Sequence, residues 1–277
     1  MPPTSGEMDN RMDNLMDGIM EITAIKNSKI QHTVKLKHRD YRYEHGQFLI
    51  EGDKLLTEAV KSGITVLDVF LTKTASHLST MFDLEDKSYT VPDYIMDKIS
   101  GQKSSSGVVA ICEIPAPVDV EAFFNGDKYI LLDNISDPAN LGTVIRSAEA
   151  FGISGVVISS DSTDLYSLKT LRGSMGSVFR LPLLSCDNLS EICNLLHSKE
   201  IALYAAAVAD GGISLRNVDF CKPSAVIIGN ESFGIDSSLI ALCDSTLAIP
   251  MSGMTESLNA GVAASVIMYA MAEHEIA

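Results

Sequence analysis

The sequence is short of positive charge. Its 277 residues contain 21 Lys and Arg against 36 Asp and Glu, a formal net charge of -15. That balance excludes a surface coated with basic residues, so any contact with RNA or DNA must be local. The five cysteines are scattered without C-x-x-C spacing. Neither a disulfide framework nor a zinc site is indicated, and no metal site is expected.

Long apolar runs and several common enzyme motifs are also missing. The most apolar stretch, residues 258–272, is interrupted by Asn259, Gly261 and Ser265. It is shorter than the roughly 18 to 20 residues that a membrane helix needs. The acidic N-terminus lacks the pattern of a secretory signal, so we expect a cytoplasmic protein with no membrane partner. Dinucleotide, P-loop and serine-hydrolase signatures are absent, which disfavours those enzyme classes.

The positive charge that is present lies near the start of the chain. Residues 1–21 carry a net charge of -4, residues 22–61 carry +3 and the remainder carries -14. Four basic residues of the second segment form a candidate phosphate-contacting patch. They are Lys35, Lys37, Arg39 and Arg42, which lie in a crowded basic segment that also contains Lys26 and Lys29. The alternative is a solvated helix face, because runs of charge on helices are common.

Alternating apolar and amphipathic segments predict two α/β units. Residues 1–21 form an N-terminal extension, residues 22–114 a small α/β domain and residues 115–127 a linker rich in turn residues. Residues 128–277 form the second domain, in which short buried strands alternate with helices. This alternation predicts a parallel sheet covered by helices on both faces. Its predicted strands cover residues 129–133, 155–159, 202–207, 225–229 and 246–250.

Ligands bind such sheets at the carboxyl ends of the strands, which directs attention to the loops after residues 133, 229 and 250. In the first loop, Asn140 is predicted to cap a helix that runs from about Leu141 to Gly152. Arg146 lies one turn from the start of that helix. It either faces the crevice at the strand ends or forms an ion pair with Glu149.

The other two loops also place polar residues at the strand ends. Glu231 directly follows a buried strand and lies between two glycines, which puts a carboxylate at the mouth of the sheet. Ser257 precedes the last helix and is predicted to be its N-cap.

In order and wording, the three loops resemble the signature motifs of the SpoU/TrmH family of RNA ribose 2'-O-methyltransferases. The matching segments are D-P-x-N-x-G-x-x-x-R-[ST]-A at residues 137–148, I-G-N-E-x-x-G at 228–234 and I-P-M-x-G-x-x-x-S-L-N at 249–259. Residues 37–63 are also similar to the family's accessory RNA-binding domain, which has a ribosomal-protein-like α/β fold. The resemblance extends from about residue 24 to the end of the chain.

The resemblance implies a SPOUT fold, in which the last strands and helix of the second domain form a deep trefoil knot, a rare exception among protein chains. It also implies a homodimer that binds S-adenosyl-L-methionine in the knot. By position, five residues match those that hold this methyl donor. They are Gly229, Ile249, Met251, Leu258 and Asn259.

The resemblance assigns catalysis to Arg146, with Asn140, Glu231, Ser257 and Asn259 orienting it and the ribose. Because a guanidinium stays protonated up to a pH of about 12, Arg146 is better suited to holding a phosphate and stabilising the forming alkoxide than to acting as a base.

Basic residues near the site, among them Lys169, Arg172 and Arg180, are expected to attract structured RNA. The implied substrate is large-subunit rRNA, because the minimal tRNA-modifying members lack an accessory domain. A tRNA 2'-O-methyltransferase is the first alternative. A catalytically silent RNA-binding protein is the second.

Overall fold

The protein is represented by a computed structural model that describes residues 19–101, 106–207, 212–254 and 257–273. The chain forms two compact units that divide after Pro115, with residues 166–168 grouped with the first unit. Most of the predicted N-terminal extension lies outside the described residues. Its last residues, Met20–Glu21, form a strand of the first unit, so the extension ends earlier than predicted.

The first unit is a five-stranded mixed sheet with helices. Its sheet order is β1-β4-β3-β5-β2, in which β5 is antiparallel to both neighbours and the other pairs are parallel. The core includes Ile30, Phe70 and Ile95. In chain order the elements are β1 (Met20–Glu21), α1 (Ser28–Lys35), α2 (Arg39–His45), β2 (Gln47–Glu51), α3 (Asp53–Lys61), β3 (Val66–Leu71), α4 (His77–Met81), β4 (Ser88–Thr90), α5 (Asp93–Ile99) and β5 (Val108–Glu113), with 3-10 turns at Lys73–Ala75 and Glu85–Lys87.

The second unit is built on a seven-stranded sheet in which every paired strand is parallel. In chain order its elements are α6 (Val120–Phe123), β6 (Lys128–Leu132), α7 (Pro138–Ala150), β7 (Gly155–Ser159), α8 (Leu168–Ser174), β8 (Leu183–Cys186), α9 (Leu189–Ser198), β9 (Ala202–Ala206), β10 (Ile213–Ser214), β11 (Ser224–Ile228), α10 (Ser237–Ile240), β12 (Ser245–Ala248) and α11 (Ala260–Ala272), with 3-10 turns at Ser177–Phe179 and Leu215–Asn217.

The strand order β10-β12-β9-β11-β6-β7-β8 places β6 and β11 in the middle of this sheet. From β6 the chain moves outward through β7 and β8, and then returns to β9 on the other side. The five predicted strands are present, and the prediction of a parallel sheet is confirmed. The short edge strands β8 and β10 were not predicted.

The predicted linker over residues 115–127 differs from the structure. Residues 120–123 form α6, and Phe123 and Phe124 are buried against Tyr129 in the core of the second unit. The segment is therefore part of a folded unit. Within the described ranges, none of the helices combines the length and apolar character that crossing a membrane requires.

Candidate active site

The predicted loops meet at the carboxyl edge of the parallel sheet. β6 and β11 are neighbours, with Leu132 opposite Ile228, and the backbone N–H of Asp133 donates to Ile228 O at 2.9 Å. These two strands lie where the chain reverses its direction across the sheet. Ligands of parallel sheets bind at such a point.

The first loop leads into α7, which Asp137 caps. Its Oδ1 accepts a hydrogen bond from Ala139 N at 2.9 Å, and Pro138, which has no N–H to satisfy, takes the first helical position. The helix therefore begins before the predicted Leu141, and the prediction that Asn140 is the cap is wrong. Asn140 is buried within the first turn, which leaves its amide available to other loops.

Glu231 is held against the start of α7 by four hydrogen bonds. Its Oε2 accepts from the backbone N (3.1 Å) and Oγ (2.7 Å) of Ser136. Its Oε1 accepts from Asp137 N (3.3 Å) and Asn140 Nδ2 (2.6 Å). Burial raises the pKa of this carboxyl, but the hydrogen bonds from Asn140 and Ser136 outweigh it and lower the pKa to about 2. Glu231 is therefore ionised at neutral pH and only accepts.

From Glu231 the hydrogen bonds continue through two amides, a set that we call the carboxylate–amide chain (Glu231, Asn140 and Asn259). Asn140 Oδ1 accepts from Asn259 Nδ2 at 2.9 Å, and Asn259 Oδ1 accepts from Val262 N at 3.2 Å. One end is a carboxylate that only accepts and the other is a backbone N–H that only donates. A single orientation of both amides satisfies every bond.

Asn259 is thus the N-cap of α11, and the prediction that Ser257 caps this helix is wrong. The cap couples the start of α11 to the start of α7. Farther along, Ser147 Oγ and Ser265 Oγ lie 2.8 Å apart, and a Cβ on Gly261 would lie 3.3 Å from Thr143. The small residues of α11 therefore allow the two helices to approach closely.

The second loop is a tight turn in which only glycine fits at its first position. A Cβ on Gly229 would lie 2.3 Å from Gly234 C and 2.4 Å from Ile235 N. The turn is closed by Asn230 N donating to Gly234 O at 2.9 Å and by Gly234 N donating to Asn230 O at 3.0 Å. This turn fixes the backbone position of Glu231.

A cavity of about 560 Å³ opens beside the carboxylate–amide chain. Sites for small molecules usually have volumes of about 300–1,000 Å³. Glu231 and Ser257 line this cavity. So do the five residues predicted to hold the methyl donor: Gly229, Ile249, Met251, Leu258 and Asn259.

The cavity suits S-adenosylmethionine. Apolar walls from Leu247 and Ile267 accommodate a purine and a thioether chain, and the bare backbone of Gly229 allows close approach. Sequence reasoning missed Ala206, which ends β9, and Ala207, which follows it; both also line the cavity. The signal was the A-A-A run at the end of a predicted strand, which leaves room where larger side chains would fill it.

Arg146 lies on the exposed side of α7. The predicted alternative, an ion pair with Glu149, is wrong. Glu149 binds Arg180, whose Nη2 donates to Oε2 at 3.0 Å and whose Nε donates to Oε1. Hydrogen bonding to Arg180 lowers the pKa of Glu149. Within the described residues, Arg146 has no hydrogen bond or ion pair, so its guanidinium faces solvent.

The candidate phosphate patch is smaller than predicted. Lys35 and Arg39 are exposed, and their charged groups lie 5.6 Å and 5.9 Å from the centres of the Tyr41 and Tyr43 rings. The assignment of Arg42 is wrong because this residue is only 5% exposed and its Nη1 donates to a backbone carbonyl at 2.8 Å.

Lys37 also differs from its prediction. Its Nζ donates to Lys98 O at 2.8 Å and to Ser100 O at 2.6 Å, so it fastens α5 and does not extend freely into solvent. Burial lowers the pKa of this ammonium.

Two basic residues predicted to lie near the site belong to α8. Lys169 Nζ contacts Asp137 Oδ1 at 2.7 Å, and hydrogen bonding to Lys169 lowers the pKa of the Asp137 carboxyl. Arg172 is half-buried and interacts with other groups of the chain. Its contact with RNA stays a prediction.

A parallel sheet with an anchored carboxylate, an exposed arginine and a cofactor-sized cavity at its carboxyl edge is typical of an α/β protein that binds a small molecule at that edge. The chain belongs to the SpoU rRNA methylase family, whose sequence model matches residues 127–269. Residues 27–110 match the MRM3-like substrate binding domain. The resemblance seen in the three motifs is thus confirmed.

Characterised relatives match over nearly their whole length. The chain is 30% identical over 249 residues to the 23S rRNA (guanosine(2553)-2'-O)-methyltransferase RlmP of Bacillus subtilis, covering 90% of this chain and 98% of that protein. It is 30% identical over 259 residues to the 23S rRNA (uridine(2479)-2'-O)-methyltransferase of Streptomyces viridochromogenes, covering 88% of this chain and 89% of the relative.

Solved structures share the fold. An AdoMet-bound rRNA methyltransferase from Sinorhizobium meliloti superposes with a TM-score of 0.84 at 26% identity, covering 94% of this chain and 100% of that chain. The AviRb methyltransferase of Streptomyces viridochromogenes, in complex with AdoMet, superposes with a TM-score of 0.79 at 28% identity, covering 91% and 99%.

Proposed function

We propose that this chain transfers a methyl group from S-adenosylmethionine to a ribose 2'-hydroxyl of large-subunit rRNA. The observation that carries the proposal is the carboxylate–amide chain beside the cavity, whose Asn140 lies on the same helix as the exposed Arg146. The names of the two relatives, which specify 23S rRNA and 2'-O-methylation, support the same reaction and substrate class.

Bound S-adenosylmethionine supplies the methyl group on a positively charged sulfur. The backbone at Gly229, Ile249 and Leu258 would hold the donor, with Met251 and Asn259 beside it. Asn259 has a second task, since its amide binds Asn140 and caps α11. Donor binding and the position of α11 are therefore coupled through one side chain.

Transfer requires a positioned 2'-hydroxyl. As its oxygen bonds to the methyl carbon, the methyl–sulfur bond would break to leave a neutral thioether, and the hydroxyl proton would pass to solvent water. Arg146 binds the neighbouring phosphate and stabilises the negative charge that develops on this oxygen. The carboxylate–amide chain holds the start of α7 in place. It therefore fixes the backbone position from which the Arg146 side chain reaches the ribose. Ser257, exposed at the cavity, is placed to hydrogen-bond the ribose.

The direct test is methyl transfer from radiolabelled S-adenosylmethionine to separated rRNA and tRNA fractions, followed by mapping of 2'-O-methyl marks in large-subunit rRNA from cells with and without the protein. We expect label in large-subunit rRNA and one mark that depends on the protein. Label confined to tRNA would establish the tRNA alternative. Donor binding without labelled RNA of any kind would establish the silent binding protein.

The proposal includes a homodimer. On α11, Val262, Val266 and Tyr269 are 47%, 37% and 53% exposed and recur at helical spacing on a helix that is otherwise largely buried. An exposed apolar stripe of this kind is covered by another surface, and we assign it to a second copy. Val266→Glu should convert the protein to a monomer in sedimentation velocity, whereas an unchanged sedimentation coefficient would refute the assignment.

Two further expectations of the family belong to this proposal. The trefoil knot formed by the last strands and α11 stays a prediction, as does a cytoplasmic location, where rRNA substrates are found.

A further inference from the structure

The most exposed aromatic side chain near the site is Phe233, which is 89% exposed. It lies at a variable position of the second motif, two residues after Glu231, and lines the cavity. Only 6% of the chain is aromatic, and most of the phenylalanines described are buried. A phenyl ring in water at the rim of a reaction site needs a physical reason, because exposure of apolar surface is unfavourable.

The loop that carries Phe233 is held rigidly. Asn230 Oδ1 accepts hydrogen bonds from Ser232 N at 2.8 Å and Phe233 N at 3.1 Å. Asn230 Nδ2 donates to Asn134 O at 2.6 Å, which ties the loop to the one that follows β6. Gly234, at φ +73°, then completes the turn. The backbone bearing the phenyl ring is therefore fixed at the edge of the site, and the ring is presented to solvent.

We propose that Phe233 is the platform on which the nucleobase of the target nucleotide stacks, a positioning role for the reaction assigned above. The inference rests on that proposed function. Two residues span at most about 7 Å, so the Cα of Phe233 lies within that distance of the Cα of Glu231. In a nucleotide the base is attached to the carbon next to the one that carries the 2'-hydroxyl. A ribose placed at the carboxylate–amide chain thus brings its base within reach of this ring.

Stacking on an aromatic side chain is how proteins hold bases that have left a helix, and it tolerates different bases because each has a π-face. A base held at one end and a phosphate held by Arg146 at the other would fix the ribose between them. Because its ring is 89% exposed at the rim of the cavity, we expect Phe233 to act on the alignment of the substrate far more than on methyl-donor affinity. The exposed stripe of α11 is a different surface, formed by another element.

The first experiment compares three variants by steady-state methyl transfer to the rRNA fragment that the mapping experiment identifies. Phe233→Ala should lower kcat/KM for RNA about tenfold, mainly through KM, with a much smaller change in donor affinity measured by calorimetry. Phe233→Leu, which keeps apolar surface without a π-face, should stay impaired, and Phe233→Tyr should restore activity. Equal activity of the leucine variant and the native protein would overturn stacking. An rRNA fragment that is methylated by no form of the protein would contradict the proposed function instead.

The second experiment uses the absence of tryptophan from the chain. Phe233→Trp introduces a lone indole, whose fluorescence should be quenched by the rRNA fragment and much less by the same fragment with an abasic target nucleotide. Tyr94→Trp, at an exposed position of the first unit, is the matched control and should respond equally to both RNAs. Quenching of the Phe233→Trp protein by S-adenosylmethionine alone would overturn the proposal in favour of a donor contact. A signal that follows protein concentration alone would overturn it in favour of a subunit contact.

Discussion

Replacing Glu231 by glutamine tests the orientation of the carboxylate–amide chain. The change keeps the size of the side chain but turns one acceptor oxygen into an NH2 donor. If the remaining oxygen faces Ser136, the new NH2 meets Asn140 Nδ2. Asn140 can relieve that contact only if its side-chain amide rotates so that the oxygen and nitrogen exchange places, and this sets its Nδ2 against Asn259 Nδ2. Reversal of Asn259 then sets an NH2 against Val262 N. Each reversal thus moves the contact between two donor groups to the next pair in the carboxylate–amide chain, and no arrangement of the two amides removes it.

The magnitude follows from the pKa of Glu231, which falls from 4.5 to about 2. Counted in full, this fall is worth roughly 3 kcal/mol. Because the side chain is partly exposed, solvent screening reduces the figure to about 1–2 kcal/mol. Glu231→Gln should therefore lower the melting temperature of the second unit by about 3–6 °C. If the same free energy is lost from the positioning of Arg146 in the transition state, methyl transfer should slow roughly tenfold.

Differential scanning calorimetry between pH 8 and pH 3.5 measures the effect. The folded-state pKa of Glu231 is lowered, so its stabilisation is complete above the unfolded-state value of about 4.5 and is lost as the pH falls from there toward 2. The difference in melting temperature between the native and variant proteins should be constant from pH 8 to pH 6 and should shrink below about pH 4.5. Glu200→Gln, an exposed carboxylate outside the chain of bonds, is the control. Equal melting temperatures for the two proteins, or a difference that stays constant down to pH 3.5, would refute the reasoning.

Three further predictions follow from the same structure. Arg146→Ala should abolish methyl transfer without changing donor affinity, because the residue does not line the cavity; a weaker donor affinity in calorimetry would contradict this. Gly229→Ala forces a Cβ to within 2.3 Å of backbone atoms, so it should cost at least about 2 kcal/mol in urea unfolding and eliminate donor binding, whereas a stable, donor-binding variant would show that the loop can widen. Replacing Lys35 and Arg39 by alanine should reduce the salt slope of RNA binding by about 1.4, two contacts at about 0.7 each, and Lys37→Ala should leave it unchanged; equal slopes for the double variant and the native protein would exclude these residues from the interface.

The sequence predicted the strands of the second unit because each is a short apolar run bounded by turn residues, as in residues 155–159. It did not predict β8 or β10, since edge strands bury little and lack such a run. It predicted the loops at the carboxyl edge because parallel strands end on the same side. It did not predict that Asp137 would cap α7, since both Asp137 and Asn140 are good caps and only the tertiary partners of Asn140 decide between them.

The same limit applies to the site. The resemblance to the family's motifs identified Glu231, Asn140 and Asn259 as a group, but the direction of the hydrogen bonds among them depends on atoms that meet only in the folded chain. Ser136, which donates twice to Glu231, had no signal of its own because a serine beside a turn is common. Cavity-lining alanines were overlooked for a similar reason, since a site is formed as much by small side chains as by reactive ones.

Fewer basic side chains are available to RNA than the net charge of -15 alone suggests. Several basic side chains already bind carboxylates or backbone carbonyls of the same chain. They include Lys29, Lys37, Arg42, Lys87, Lys169, Arg180 and Lys199. Their long aliphatic stems cover apolar surface while their charged ends are held by these partners. Counting basic residues in the sequence therefore overestimates the number that can contact phosphates. Because these cations are already engaged, counterion release contributes less to binding than the number of basic residues suggests, and we expect selectivity to come from the shape of the RNA. A weak dependence on salt and a strong dependence on the shape of the RNA are therefore the two expected consequences of this charge distribution.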